Sequence, residues 1–155
     1  MADNISSQDF LTADYGKEPV IVNIDGVSKQ NTYYRRAFWT GDSLQVTLMS
    51  IPIGKDAGLE MHSDFDQFIR IEDGCAIVMI GKNENQLSIW KSLNSDHAII
   101  IPSGIWHNII NAGNTPLKLY SIYAPPHHPF RTVHKTKEEA EQQELNVEND
   151  LQHLV

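Results

Sequence analysis

Residues 54–74 read GKDAGLEMHSDFDQFIRIEDG, and residues 102–111 read PSGIWHNIIN. Reduced to their spacing they are Gly54-x5-Glu60-x-His62-x4-Gln67-x6-Gly74 and Pro102-x-Gly104-x2-His107-x3-Asn111. Glu60, His62, Gln67 and His107 all carry lone pairs that can hold a cation, and all sit in stretches with strand character. Glu60 and His62 are two apart, so on a strand they share a face, with Cα atoms roughly 6.5 to 7 Å apart. One ion could bridge them at that distance.

Alternation sorts the neighbours of Gln67. In Gln67-Phe68-Ile69-Arg70-Ile71-Glu72 the odd positions carry Gln, Ile and Ile, and the even positions Phe, Arg and Glu. The charged pair Arg70 and Glu72 is expected at solvent or at an edge, which turns Gln67 inward with the two isoleucines. Asp66 then points out, favouring Gln67 as the fourth ligand, although a bulge at the strand start would exchange the two.

The two segments resemble the paired motifs of the cupin superfamily, G-x5-H-x-H-x3,4-E-x6-G and G-x5-P-x-G-x2-H-x3-N. The resemblance spans roughly positions 45 to 123. Gly54, His62, Gly74, Pro102, Gly104, His107 and Asn111 keep the pattern; Glu60 replaces the first His, Gln67 the Glu, and Asp96 the second-motif Gly. The resemblance implies an all-β fold, the double-stranded β-helix or jelly roll. It also implies that Glu60, His62, Gln67 and His107 bind one divalent transition metal, Zn, Mn, Fe or Ni.

The flanking sequence fits that class. From Thr32 to Tyr123, short runs rich in Val, Ile, Tyr and Trp alternate with Gly, Asn, Asp and Pro, giving about eight strands. Residues 1–31 show little periodicity and are expected to form an arm or short helix on the barrel, with Ser6 or Ser7 capping a turn; residues 32–125 form the barrel, and residues 126–155 a loop, a short helix and an acidic tail. Thr136-x-x-Glu139 is a capping box leading into a helix over Lys137–Leu145, beyond which the last residues are expected to fray.

Composition narrows the partners. The 155 residues fit one domain, and a net charge of −8 argues against nucleic acid or an anionic membrane surface. Much of the charge is local, in Glu138, Glu139, Glu141, Glu144, Glu148 and Asp150 against Lys137. A lone Cys75, an N-terminus without signal-peptide character and the lack of a long apolar run lead to an expectation of cytoplasmic residence.

Three functions remain open. The set of one Glu, one Gln and two His is similar to that of cupin-type sugar-phosphate isomerases, in which a metal polarises a carbonyl while a separate base moves a proton. Lys55, Lys118, Arg131 and Lys135 are candidates for that base or for a phosphate clamp. A small cupin dioxygenase would instead use Glu60, His62 and His107 as a facial set with Gln67 detached. The third reading is a non-catalytic module that binds a small ligand. The consecutive prolines Pro125 and Pro126 hold an extended backbone, so His127 and His128 are not expected to face one ion unless a turn intervenes; a lid or subunit contact is the simpler reading for them and for His134, and a substrate-side histidine the alternative. Open edge strands suggest a homodimer, paired through Tyr33–Trp39 and Tyr120–His128.

Overall fold

The computed structural model describes residues 13–154. Nine strands alternate with turns between two helices: α1 (Ile24–Gln30), β1 (Arg35–Thr40), β2 (Gln45–Ile51), β3 (Asp66–Asp73), β4 (Ala76–Asn83), β5 (Gln86–Leu93), β6 (Ala98–Ile101), β7 (Trp106–Asn111), β8 (Leu117–Ala124), β9 (Val133–His134) and α2 (Lys137–Gln152). They form a six-stranded sheet ordered β6-β3-β8-β2-β1-β9 and a three-stranded sheet ordered β5-β4-β7, antiparallel throughout. This is the all-β jelly roll that the two motifs imply. The expected Ser6 or Ser7 cap lies outside the described residues.

Register arranges the interior in rows. Gln45, Tyr123 and Gln67 are aligned across β2, β8 and β3; the next row is Thr47, Ser121 and Ile69, and the next Met49, Leu119 and Ile71. Because side chains two apart share a face, each strand carries its polar residues to one end of the barrel and its apolar residues to the other. Ile51, Ile71, Val78, Ile109, Leu117 and Leu119 fill the apolar end.

The motif glycines are turn residues. Gly54, Gly74 and Gly104 have φ of +75°, +96° and +83°, a region where a Cβ is strained. Asp96 stands where the motif has glycine, with φ +76°, and aspartate is one of the few side chains that tolerate that conformation. Asn111 closes the turn after β7: its Nδ2 donates to the Ile51 and Thr115 carbonyls, and its Oδ1 accepts from the Gly113 amide.

Three expectations need correction. Arg70 and Glu72 do face away from the interior, but α1 covers that face, so Glu72 is only 5% exposed. It lies 3.4 Å from the Arg70 guanidinium. Burial and a hydrogen bond with Asp25 hold its carboxyl above the usual range. Helix α1 is too short to be stable alone; Asn23 caps it through Oδ1, which accepts from the Gly26 amide, and Val27 seats it on Phe38 and Leu48. Second, β9 was not expected, because two residues carry no periodicity; it pairs Arg35 with His134 and carries the chain back across the barrel. Third, α2 runs beyond Leu145 to Gln152, supported by a Gln142–Asn146 hydrogen bond and by the His153 amide donating to Asn149. Its start matches the capping box in part: Thr136 Oγ1 accepts from the Glu139 amide, while Glu139 accepts from Lys135, one residue before the cap. Tyr34 and Phe38, in the first segment expected to contact a second subunit, are buried in their own chain, as is Tyr123; Tyr120 is half-buried on the outer face against Phe68.

Candidate metal centre

Glu60 and His62 lie in an extended segment outside the regular strands, not on a strand as the spacing suggested. Two isolated antiparallel bridges, Asp56 with Ile110 and Glu60 with His107, tie this segment to β7. The Glu60 amide donates to the His107 carbonyl at 3.0 Å, the His107 amide donates back to Glu60 at 2.9 Å, and the Gly104 amide donates to His62 at 2.7 Å. The backbone thus holds the three residues together before any ion arrives. Their ligating atoms all fall within 4.8 Å of one another, with His62 Nε2 3.5 Å from Glu60 Oε2.

Each group is oriented by a second contact. His107 Nδ1 donates to the Ile105 carbonyl at 3.0 Å, because a carbonyl can only accept. That fixes the tautomer and leaves the Nε2 lone pair facing the cavity. Burial keeps His107 below the usual histidine range, so the ring is neutral at pH 7. Gln67 Nε2 donates to Ser121 Oγ at 3.1 Å, which turns Oε1 into the same cavity beside Glu60 and His107. Burial pushes the Glu60 carboxyl up, but the hydrogen bond with His62 and the charge of Arg35 outweigh it and hold the carboxyl below its usual range. Phe65 stacks on His62 at 4.4 Å between centroids and meets Tyr123 edge-on, fixing the imidazole plane.

The donor set fits a cation. Gln67 Oε1 and His107 Nε2 are buried acceptors with no hydrogen-bond partner among the described residues. Such atoms are costly to desolvate, and a positive ion at the meeting point of Glu60, His62 and His107 would satisfy both. A pair of imidazoles with oxygen donors is chemistry that suits first-row divalent metals.

Above the cavity lies a recess of about 610 Å³, lined by Glu60, His62, His127, His128, His134 and the α2 residues Gln143, Glu144 and Val147. The turn that would bring His127 and His128 to one place does intervene. The Ala124–Pro125 peptide is cis, and Gln45 Oε1 accepts from both the His127 and His128 amides. The His127 ring lies 5.0 Å from His62 and 4.4 Å from His128. His134 Nε2 is paired with Gln143. Although part of His127 faces solvent, desolvation and the neighbouring His62 bring it down to about 4; burial and the charge of Arg35 push His128 down as well. Both rings are neutral at pH 7.

The proposed basic residues are elsewhere. Lys55, Lys118 and Lys135 line a different recess, where Lys118 Nζ is already held by the Asn31 carbonyl and Ser50 Oγ. Arg131 packs over Phe130. None of the four lines the cavity or recess around Glu60. The residue that does is Arg35, 4% exposed and on the inner face of β1. Its signal was the alternation in Tyr34-Arg35-Arg36-Ala37-Phe38: with apolar neighbours on both faces, neither arginine could reach open solvent.

Comparison with known proteins agrees with this architecture. The cupin domain profile matches residues 47–123. The uncharacterized protein YrkC of Bacillus subtilis (strain 168) is 56% identical over 133 residues, covering 86% of this chain and 72% of its own length. The uncharacterized protein L612 of Acanthamoeba polyphaga mimivirus is 44% identical over 110 residues, covering 70% and 67%. The crystal structure of BH2720 from Bacillus halodurans is 52% identical with a TM-score of 0.82, covering 84% of this chain and 98% of that one.

Proposed function

The chain belongs to the cupin superfamily, and from that membership we propose that it binds one divalent transition metal through Glu60, His62 and His107, with the Gln67 carboxamide oxygen as a further donor. The reading is carried by one observation: Glu60, His107 and Gln67 line one cavity, where His107 Nε2 and Gln67 Oε1 are buried without partners among the described residues. An ion there supplies Lewis acidity toward a carbonyl or carboxylate oxygen of a small polar or anionic molecule. The chain's own residues supply the rest. Phe65 and Tyr123 wall the site against water, Glu60 brings the single negative charge, and His127, neutral and beside His62, is placed to accept a proton at the cavity mouth. That arrangement favours proton-transfer chemistry of the isomerase type.

A second reading is an iron dioxygenase, in which Glu60, His62 and His107, whose ligating atoms lie within 4.8 Å of one another, form the facial set by themselves. Activity requiring iron and oxygen, unchanged in Gln67→Ala, would select it. The primary test is elemental analysis of protein purified without a histidine tag. One transition metal per chain is expected, lost in both His62→Ala and His107→Ala; full retention in both variants would defeat the assignment.

A further inference from the structure

Four of the chain's 12 lysines and arginines line one recess of about 310 Å³, although the chain as a whole carries a net charge of −8. They come from four places in the sequence: Lys55 from the loop after β2, Lys118 from β8, Lys135 from just after β9 and Lys137 from the first turn of α2. The recess shares no lining residue with the candidate metal cavity or with the recess above it. Leu117 and Leu119 are fully buried on the inner face of β8, so Lys118 between them points to the outer face, beside its cross-strand partner Ser50.

The charges in this recess do not cancel. Lys137 is ion-paired with Asp56, and Lys55 lies 3.8 Å from Glu138. That leaves Lys118 and Lys135, neither of which forms an ion pair among the described residues. Lys118 is the costlier of the two, being half-buried. Its Nζ donates to the Asn31 carbonyl at 2.6 Å and to Ser50 Oγ at 2.9 Å, which ties the end of α1 to the sheet and uses two of its three hydrogens. Two neutral acceptors do not balance an ammonium. Burial accordingly pulls Lys118 below the usual lysine range, and Asp73 offsets only part of that from a distance. An uncharged amide would serve a purely structural tie as well, so the charge itself is unexplained by the fold.

We propose that this recess binds a small phosphate monoester, with the phosphate on Lys118 and Lys135 and the body of the ester against Pro52 and Pro116. Two unmatched ammonium groups require about two negative charges, and a phosphate monoester carries about −1.5 to −2 at neutral pH where a carboxylate carries one. Lysine, a compact point charge, suits a tetrahedral dianion; a planar carboxylate is better held by the arginine fork, and no arginine lines the recess. The first turn of α2 adds partial positive charge at the same place. A volume of about 310 Å³ equals about ten water molecules at ~30 Å³ each, enough for an ester of about ten non-hydrogen atoms. The proposal is independent of any metal at Glu60, His62 and His107.

The test is isothermal titration calorimetry of the full chain at low ionic strength, as purified and after chelation, with phenyl phosphate, inorganic phosphate and phenol. Phenyl phosphate should bind one to one, at least about tenfold tighter than phenol and severalfold tighter than inorganic phosphate, and its affinity should fall as salt is added. Lys118→Met should lose about tenfold or more of that affinity and Lys135→Ala about threefold or more, while Lys91→Ala, at an exposed position of β5, should bind as wild type. A wild type that does not bind phenyl phosphate overturns the proposal, and equal affinity for inorganic phosphate refutes the ester class. Loss of binding on chelation would put the ligand on the metal instead and overturns it too. So does a loss in Lys91→Ala as large as that in Lys135→Ala, the mark of diffuse charge attraction. Should Lys118→Met fail to fold, Lys135→Ala decides alone, because that side chain is exposed and ion-pairs with nothing among the described residues: unchanged phenyl phosphate affinity there refutes the site.

Discussion

The two ends of the barrel interior are built from the same strands and obey opposite rules. At one end Ile51, Ile71, Val78, Leu117 and Leu119 are packed with no polar atom to satisfy. At the other, Arg35, Gln67 and His107 leave buried polar atoms without partners among the described residues. Strand β3 passes from Gln67 to Ile69 to Ile71, and β8 from Tyr123 through Ser121 and Leu119 to Leu117. Moving two residues along a strand is enough to pass from a region that stabilises the fold to one that is held in place by it.

The largest test of this contrast is truncation at the apolar end. Leu119→Ala should destabilise the protein by about 2–5 kcal/mol in denaturant unfolding and leave metal stoichiometry untouched. Loss of metal in a folded Leu119→Ala variant would mean that the two ends are not independent.

Chelation tests the other half. The apolar end holds the jelly roll by itself, so the metal-free protein should keep its β-sheet circular dichroism at room temperature. Free metal at about a hundred times its Kd should then add about 2.7 kcal/mol to stability. Collapse of the sheet signal on chelation would instead make the ion structural, as in zinc fingers.

A finer test substitutes Gln67→Glu. If the carboxamide oxygen is a donor, the added charge should tighten metal binding by about tenfold and weaken the affinity for anionic ligands. Weaker metal binding together with a lower melting temperature would leave Glu60, His62 and His107 as the whole set.

The smallest effect lies on the outer face of β3, at Glu72 under α1. Its folded-state pKa is raised, so it takes up a proton on folding; its contribution is present below the unfolded value and is lost as pH rises through the folded one. Glu72→Gln should therefore match wild type near about pH 4 and melt about one to two degrees higher near about pH 8. Equal melting temperatures at both values would show that Arg70 fully compensates the buried carboxylate.

These contrasts were legible in the sequence to different depths. Period-two alternation placed Gln67 inside and Asp66 outside, and they lie so, with Asp66 accepting a hydrogen bond from the Ser103 amide. The eight longer strands could be read from the same alternation and from turn residues. Arg35 was missed because an Arg-Arg pair looks like a solvated edge unless both faces of the strand are considered. The recess under α2 was not legible at all: it depends on β9, two residues held by tertiary pairing, and on Glu144 and Val147 meeting histidines far away in the chain.

Gln45 has a consequence for how such a site can diversify. Its fully buried amide donates to Thr40 Oγ1 and to the His128 carbonyl, and accepts from the amides of His127 and His128, so its full hydrogen-bonding capacity is used. The mouth loop is held by its backbone, and no hydrogen bond of this clamp involves the His127 or His128 ring. Positions 127 and 128 are therefore interchangeable fittings on a fixed frame, where a single codon change can alter what the mouth accepts without asking the barrel to refold.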